Sequence, residues 1–221
     1  MTDAHYHRGG YATFLACADH EFAFFGCHPW QVAEGADGAS PSDFKLQISD
    51  LRSKLQADVH AGVGEIGLDR LRTKTVPDAQ RAAFAAQLAL AAELGRPVVL
   101  HGAKCWGEVV KACQPSAGRI PAFLFHGFSR SAGLLPQIFA LNGFVSLGPA
   151  LLNDHAVNYR EMAKGLPLAR VLLETDQEAS SEQAGLVDGL AAQLAALRGC
   201  AVDEVAAAVE ANARRFTEAL A

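Results

Sequence analysis

The sequence has few cysteines and no long apolar segment. Its five cysteines are odd in number and scattered, without a Cys-x-x-Cys pair. This argues against a disulfide framework or a structural zinc knuckle and favours a reducing, cytoplasmic environment. No uninterrupted apolar run approaches the roughly 20 residues that span a bilayer. The first seven residues also lack the apolar region of a secretion signal, so we expect neither secretion nor membrane insertion.

Charge is also scarce. Charged residues make up 19% of the 221 residues and the net charge is −5, so a broad basic surface for nucleic acid is not expected, whereas a local site for an anionic substrate is compatible. With 50% hydrophobic residues, the chain is too apolar for disorder and can bury a full core. No linker, repeat or compositional shift divides it, and we expect residues 1–221 to form a single domain.

Short apolar runs alternate with helical patterns along the chain. Several runs, such as Pro97–Leu100, are apolar without alternation, as expected of strands covered on both faces of a parallel sheet. Eight strands are predicted, over Thr2–His7, Thr13–Ala18, Phe22–Gly26, Val59–Gly62, Pro97–His101, Ala122–His126, Phe144–Leu147 and Val171–Glu174. Helices are predicted over Ser42–Ala57, Pro77–Leu94, Gly107–Cys113, Ser131–Leu141 and Asn153–Lys164, with two more near the C-terminus.

This alternation indicates an α/β fold. A TIM-type βα-barrel fits it best, and an open doubly wound sheet is the alternative. The first three predicted strands fall within about 25 residues, too few for the crossover connections that parallel strands need. The first quarter of the barrel is therefore expected to be irregular and shortened.

Histidines and carboxylates recur where the predicted strands end. His5 and His7 are two residues apart on the first strand and so point to the same side. Taken one at a time, these residues have ordinary explanations. His5 and His7 can be surface histidines, His101 and His126 can be packed in the core, and Glu65 and Asp176 can cap helices. All strand carboxyl ends of a βα-barrel open on one face, however, so these side chains can converge on one or two Zn²⁺, Mn²⁺ or Mg²⁺ ions. The candidate metal ligands are His5, His7, Glu65, His101, His126 and Asp176.

These residues belong to motifs that resemble the TatD family of metal-dependent hydrolases, within the amidohydrolase-like barrel superfamily. The matching segments, in chain order, are Asp3–His7, Gly26–Trp30, Gly64–Asp69, Gln80–His101, Phe125–Phe128, Leu173–Asp176 and Ala211–Phe216. The resemblance implies a hydrolase, and several members of the family are nucleases acting on DNA ends. After Asp176, the proline-containing stretch common in the family is replaced by Gln177-Glu-Ala-Ser.

The resemblance also implies how the ligands are shared. His5, His7 and Asp176 would hold one divalent ion, His101 and His126 a second, and Glu65 would bridge the two. Two such ions would activate a water for attack on phosphorus or a carbonyl. Asp176 would then exchange protons with that water and the leaving group, so that Asp176 and the bridging Glu65 are the catalytic candidates.

Basic residues near the strand ends suggest the substrate. Six of them follow predicted strands: Arg8, Arg70, Arg72, Lys74, Lys104 and Arg130. Lys104 and Arg130 come soon after candidate histidines and are predicted to bind substrate phosphate. His28 of the Gly26–Trp30 motif is a further candidate for substrate binding. The favoured function is deoxyribonuclease-like cleavage of a phosphodiester at a single-stranded DNA end or in a nucleotide.

Two other functions stay open on the sequence. One is hydrolysis of a C–N or ester bond in a small molecule or acyl adduct. The other is a non-catalytic metal-binding barrel that serves as a binding partner.

Overall fold

The computed structural model describes residues 1–9, 12–17, 20–34, 41–71, 73–129, 132–180 and 182–221. The predicted end of the second strand at Ala18 and the predicted start of a helix at Ser131 lie outside these residues.

Eight strands form one sheet in chain order. They are β1 (Asp3–His7), β2 (Thr13–Ala16), β3 (Glu21–Phe25), β4 (Gly62–Asp69), β5 (Val98–Ala103), β6 (Phe123–Phe125), β7 (Gly143–Leu147) and β8 (Val171–Leu173). From β3 to β8 every neighbouring pair is parallel. The carboxyl ends of these strands therefore meet on one face of the sheet.

The first quarter departs from the βα repeat, as the short spacing predicts. β2 pairs antiparallel with both β1 and β3, so a three-strand meander stands in place of helical crossovers. Its outer surface carries Arg8, which bonds both carboxylate oxygens of Glu21 at 2.8 and 2.9 Å. The same guanidinium lies 4.7 Å from the ring centroid of Phe14. Aromatic and ionic contacts therefore cover part of the meander.

The fourth strand is longer and later than the sequence pattern predicts. A strand was expected over Val59–Gly62, but β4 runs from Gly62 to Asp69, and Val59 is 58% exposed outside it. The expectation was wrong because the glycines of this segment were taken to mark a turn. They instead lie within a fully buried strand.

The sheet closes between β1 and the segment that follows β8. Asp176 N–H donates to the His5 carbonyl at 3.0 Å, His7 N–H to the Gln177 carbonyl at 2.8 Å, and Ala179 N–H to the His7 carbonyl at 2.9 Å. These bonds complete a βα-barrel of the TIM type.

A buried carboxylate reinforces this closure. Asp3 accepts hydrogen bonds from the Thr175 backbone N–H at 3.0 Å, the Thr175 hydroxyl at 2.7 Å and the Gln183 amide at 2.7 Å. Burial raises the pKa of the Asp3 carboxyl, and these donors partly offset that rise. Asp3 thus ties the first strand to the last.

Helices and buried apolar side chains surround the barrel. The helices are α1 (Pro29–Glu34), α2 (Pro41–Ala57), α3 (Asp78–Leu94), α4 (Trp106–Cys113), α5 (Leu135–Ala140), α6 (Val157–Gly165), α7 (Gln183–Arg198) and α8 (Val202–Thr217). α3 ends at Gly95, which adopts the left-handed conformation expected of a helix stop. All residues of β6, β7 and β8 are buried, as expected of strands that are covered on both faces of a parallel sheet.

Among the described residues, no single helix combines the length and apolar character needed to cross a membrane. The pair Gln183–Arg198 and Val202–Leu220, bent by 116°, meets that test only when its two parts are taken together.

Candidate metal centre

The first strand brings two histidines to one acidic side chain. His5 and His7 have ring centroids 4.9 Å apart, as expected for residues two apart in a strand. Their Nε2 atoms lie 3.6 Å and 3.3 Å from the same oxygen, Oδ1 of Asp176. Asp176 reaches them because the backbone after β8 pairs with β1. These three predicted ligands therefore form one group.

Glu65 lies inside β4 instead of at its end. The strand passes unusually close to β5, since a Cβ on Gly64 would lie 2.8 Å from Cβ of Val99. Gly67 has a φ of +153°, and a Cβ there would collide with the His101 carbonyl. The glycines on either side of Glu65 therefore permit close strand packing, which brings its carboxylate to the barrel axis.

The Glu65 carboxylate joins histidines from three strand segments. Its Oε1 lies 2.6 Å from Nε2 of His126 and 2.7 Å from Nδ1 of His101. Its Oε2 lies 3.5 Å from Nε2 of His5. Glu65 thus stands between the His5 group and the pair of His101 and His126, which is the place that the resemblance predicts for a bridging ligand.

The cluster shifts the ionisation of its members. Burial acts to raise the pKa of Glu65, but the surrounding histidines, His126 first, hold that pKa well below its usual value. Burial acts to lower the pKa of His126, and the carboxylates of Glu65 and Glu174 raise it well above its usual value. The pKa of His101 is raised against its burial by Asp69 and Glu65.

Asp69 orients His101 from behind. Its Oδ2 lies 3.0 Å from His101 Nε2 and accepts a hydrogen bond from Trp30 Nε1 at 2.8 Å. Its Oδ1 accepts the Leu71 N–H at 2.6 Å. With Nε2 directed to Asp69, His101 presents Nδ1 to Glu65. A carboxylate behind a histidine fixes the ring orientation and the tautomer needed for metal binding.

Glu174 stands in a similar position behind His126. Its Oε1 lies 3.6 Å from His126 Nδ1 and accepts the Gly127 N–H at 2.7 Å. Its Oε2 accepts a short hydrogen bond from the Ser146 hydroxyl. His126 consequently presents Nε2 to Glu65.

The roles of Asp69, Glu174 and Trp30 were not predicted from the sequence. The available signal was their place in the same motifs as predicted ligands, because Asp69 ends the Gly64–Asp69 segment and Glu174 precedes Asp176 by two residues. Which histidine each would meet depends on the register between strands, which the motifs do not contain.

His28 faces the cluster as a hydrogen-bond donor. Its Nδ1 accepts the Trp30 backbone N–H at 3.1 Å, and its Nε2 lies 3.7 Å from Glu65 Oε1. Burial lowers the pKa of His28, which favours a neutral ring that carries its proton on Nε2. His28, Glu65 and His101 are close enough to share an ion, but this tautomer makes His28 a donor instead of a ligand.

The donor set fits a metal. Groups of potential ligands lie within 4.8 Å of one another at His5, His126 and Asp176 and at His5, His7 and Glu65. Within the described residues, the buried Nε2 of His5 has no hydrogen-bond partner, although it is aimed at two carboxylates. Imidazole nitrogens mixed with carboxylate oxygens suit Zn²⁺ or Mn²⁺, and the carboxylates alone suit Mg²⁺.

Two adjoining cavities open over the cluster, and a third shares Lys104 with the second. The first, of about 300 Å³, is lined by His7, His28, Trp30, Glu65, His101, His126, Asp176 and Glu178. A second, also of about 300 Å³, shares His101, His126 and Asp176 with the first and adds Lys104 and Ser129. A third, of about 340 Å³, is lined by Lys104 and Arg70.

The predicted cations are therefore distributed unevenly. Lys104 and Arg70 line the cavities, whereas Arg8 is paired with Glu21 on the outside of the meander. Arg130, predicted to bind phosphate, and Arg72 lie outside the described residues.

A family model for "TatD related DNase" matches residues 11–218. The matched range contains Glu65, His101, His126 and Asp176 and begins after His5 and His7. A solved structure of YJJV, a TatD homolog from Escherichia coli K12, superposes with a TM-score of 0.71 at 26% identity, covering 88% of this chain and 76% of the other. A TatD family hydrolase from Entamoeba histolytica, at 15% identity and a TM-score of 0.68, covers 87% and 73% and shares the fold.

Curated relatives match this chain over different lengths. The 3′-5′ ssDNA/RNA exonuclease TatD of Edwardsiella piscicida is 33% identical over 129 residues, which are 58% of this chain and 50% of the relative. The protein of the same name from Erwinia tasmaniensis is 28% identical over 211 residues, covering 90% and 78%. The uncharacterized metal-dependent hydrolase YabD of Bacillus subtilis is 27% identical over 162 residues, covering 70% and 64%. The match thus spans about half the length of the Edwardsiella relative.

Proposed function

Because the chain belongs to the family of TatD-related DNases, we propose that it is a divalent-metal-dependent hydrolase of phosphodiester bonds that acts on the ends of single-stranded nucleic acid. The observation that carries this proposal is the position of Glu65, whose two oxygens face different groups of histidines at distances of 2.6 to 3.5 Å. Relatives named as single-strand exonucleases support the choice of substrate.

The proposed centre holds two divalent ions. His5, His7 and Asp176 would hold one, His101 and His126 the other, and Glu65 would lie between them. When bound, such ions lower the pKa of a coordinated water and stabilise charge on a phosphoryl oxygen. Asp69 and Glu174 would fix the ring orientations and tautomers of His101 and His126.

Asp176 is the proposed proton acceptor. Burial acts to raise its pKa, but the hydrogen bond with His7 and the charges of neighbouring histidines lower it overall, so the carboxylate is ionised at neutral pH. The side chain is nonetheless 45% exposed, which leaves it accessible to water and substrate. His28, with its proton on Nε2, would donate to a substrate oxygen beside Glu65.

Lys104 is the proposed phosphate contact. It lines the cavity that contains His101, His126 and Asp176 and also the neighbouring cavity that Arg70 lines. Lys104 and Asp176 both adopt positive φ values, 58° and 52°, as does Asn142, at 55°, away from these cavities. Non-glycine residues held in that region tend to occur at functional sites, where surrounding contacts hold them in place. Arg130 remains a predicted contact.

The test compares substrate classes on one preparation of metal-loaded protein. End-labelled single-stranded oligonucleotides, an aryl phosphodiester, an aryl acetate and an N-acyl amide would each be incubated with Mg²⁺, Mn²⁺ or Zn²⁺, and with EDTA. We expect EDTA-sensitive shortening of the oligonucleotide from an end. Turnover of the amide or acetate alone would replace this function with the C–N or ester hydrolase, and metal binding without any turnover would indicate the non-catalytic barrel.

A further inference from the structure

Glu178 places an additional carboxylate in the cavity over the metal-binding cluster. Its backbone forms a parallel bridge with His7, and the flanking bonds of Gln177 and Ala179 to His7 fix the segment against β1. The side-chain Oε2 accepts the Gly9 N–H at 3.2 Å. The carboxylate is thus held at a defined place two residues beyond Asp176.

The cavity that Glu178 lines has the size and shape for one terminal unit of a strand. Its volume of about 300 Å³ is at the lower end of small-ligand pockets. The half-buried Trp30 forms part of the wall of the same cavity, and its indole N–H donates to Asp69. A fixed aromatic side chain of this kind provides a surface on which a base can stack without sequence preference.

Charge divides the mouth of the barrel into two sides. The cavity lined by Glu178 and Trp30 meets the cavity lined by Lys104 at His101, His126 and Asp176. A strand that crosses the cluster would therefore put its phosphates on the side of Lys104 and its terminal nucleoside beside Glu178. A terminal hydroxyl can donate a hydrogen bond to a carboxylate, whereas a terminal phosphate would bring a second negative group against it.

We propose that Glu178 makes the site selective for strand ends that carry a free hydroxyl over ends that carry a phosphate. This inference rests on the proposed function, since it takes a nucleic acid end as the ligand. Glu178 lies two residues beyond Asp176, in the stretch Gln177-Glu-Ala-Ser.

The experiment measures binding, so that turnover is not required. Short oligothymidylates with phosphorothioate linkages would be labelled with fluorescein at one end and would carry either a hydroxyl or a phosphate at the other. One series would carry this variable group at the 3′ end and a second series would carry it at the 5′ end. Fluorescence anisotropy in Mg²⁺ gives the ratio of the two dissociation constants for the native chain, for Glu178→Gln and for Glu182→Gln. Glutamine retains an acceptor for the Gly9 N–H, and Glu182 is an exposed carboxylate outside the cavity.

We expect the native chain to bind the hydroxyl form more tightly than the phosphate form at one polarity. Glu178→Gln should reduce that preference about tenfold, a size reasonable for one charge near a protein surface. Glu182→Gln should retain the native preference. An unchanged ratio in Glu178→Gln, equal binding of both forms by the native chain, or no binding of either would overturn the inference. Cleavage of the ordinary phosphodiester versions is scored separately. A hydroxyl preference without cleavage contradicts the proposed function alone, and cleavage without a preference contradicts the role of Glu178 alone.

Discussion

Glu65 is the residue whose environment explains most of the site. It is 4% exposed, and an uncompensated charge at such a depth is strongly destabilising. The histidines around it supply positive charge when they are protonated, and divalent ions would supply it when bound. The same buried carboxylate therefore requires cations in either state, and its neighbours have the nitrogen atoms that metals bind.

The role of Asp69 can be tested through metal affinity. Asp69→Asn keeps the size of the side chain but removes the charged acceptor of His101 Nε2 and Trp30 Nε1. We expect a loss of about 10- to 100-fold in the affinity for one Mn²⁺ equivalent, as for other groups that orient a histidine ligand, with the fold retained by circular dichroism.

The matched control is Asp50→Asn, since Asp50 is an exposed residue of α2 paired with Lys54. Titration calorimetry would measure the Mn²⁺ affinity of both variants. Equal Mn²⁺ affinity in Asp69→Asn and Asp50→Asn would show that Asp69 only supports the loop at Leu71.

At the scale of elements, the sequence predicts a strand well where apolar residues are continuous and poorly where glycines interrupt it. β8 matches its predicted range to within a residue, because an unbroken apolar run has little alternative to a buried strand. β4 was placed too early, because glycine is favourable both in turns and where two strands approach closely. The antiparallel pairing of β2 with β1 and β3 was not predicted, although the short connections, which exclude helical crossovers, did predict an irregular first quarter.

Gly64 provides a direct test of close packing between β4 and β5. Gly64→Ala would place a methyl group 2.8 Å from Val99 Cβ. We expect it to lower the free energy of unfolding by about 1 to 3 kcal/mol, the usual cost of overpacking a core, as measured by urea denaturation.

Gly189→Ala is the control, because Gly189 lies in α7 and a Cβ there meets nothing within 4 Å. Alanine should be neutral or stabilising at that position, by up to about 1 kcal/mol. If the two variants unfold at the same urea concentration, strand proximity is not the reason for glycine at position 64.

At the scale of the whole molecule, the barrel gathers residues that are distant in the chain. His5 and Asp176 come together because β1 and the segment after β8 close the sheet. The convergence of the candidate ligands could be predicted, because all strand carboxyl ends of a βα-barrel open on one face. The contacts of Asp69 and Glu174 could not, because they depend on which strands are neighbours and how far each is shifted.

The overall charge predicts how salt affects substrate binding. With a net charge of −5 and cations concentrated near Lys104, few phosphates can be contacted. We therefore expect log K for single-stranded DNA to fall with log salt by a slope of only about −1 to −3, at roughly 0.7 per phosphate.

Lys104→Ala should reduce the magnitude of that slope by about 0.7 and leave metal content unchanged. Lys164→Ala, in the last turn of α6, is the control and should keep the native slope. A steep slope in the native chain, or the same slope in all three proteins, would rule out local binding through Lys104.

The proposed function depends on Glu65 joining two metal sites. The most direct measurement is the number of Mn²⁺ or Zn²⁺ ions bound per chain, determined by calorimetry and elemental analysis, for the native protein and for Glu65→Gln. Glutamine preserves the shape but removes the negative charge between the two groups of histidines. We expect two ions in the native protein. In a folded Glu65→Gln we expect the loss of at least one ion, together with a fall of several orders of magnitude in the hydrolysis of single-stranded DNA. Equal metal content and affinity in the two proteins, or no bound metal in either, would contradict this role of Glu65.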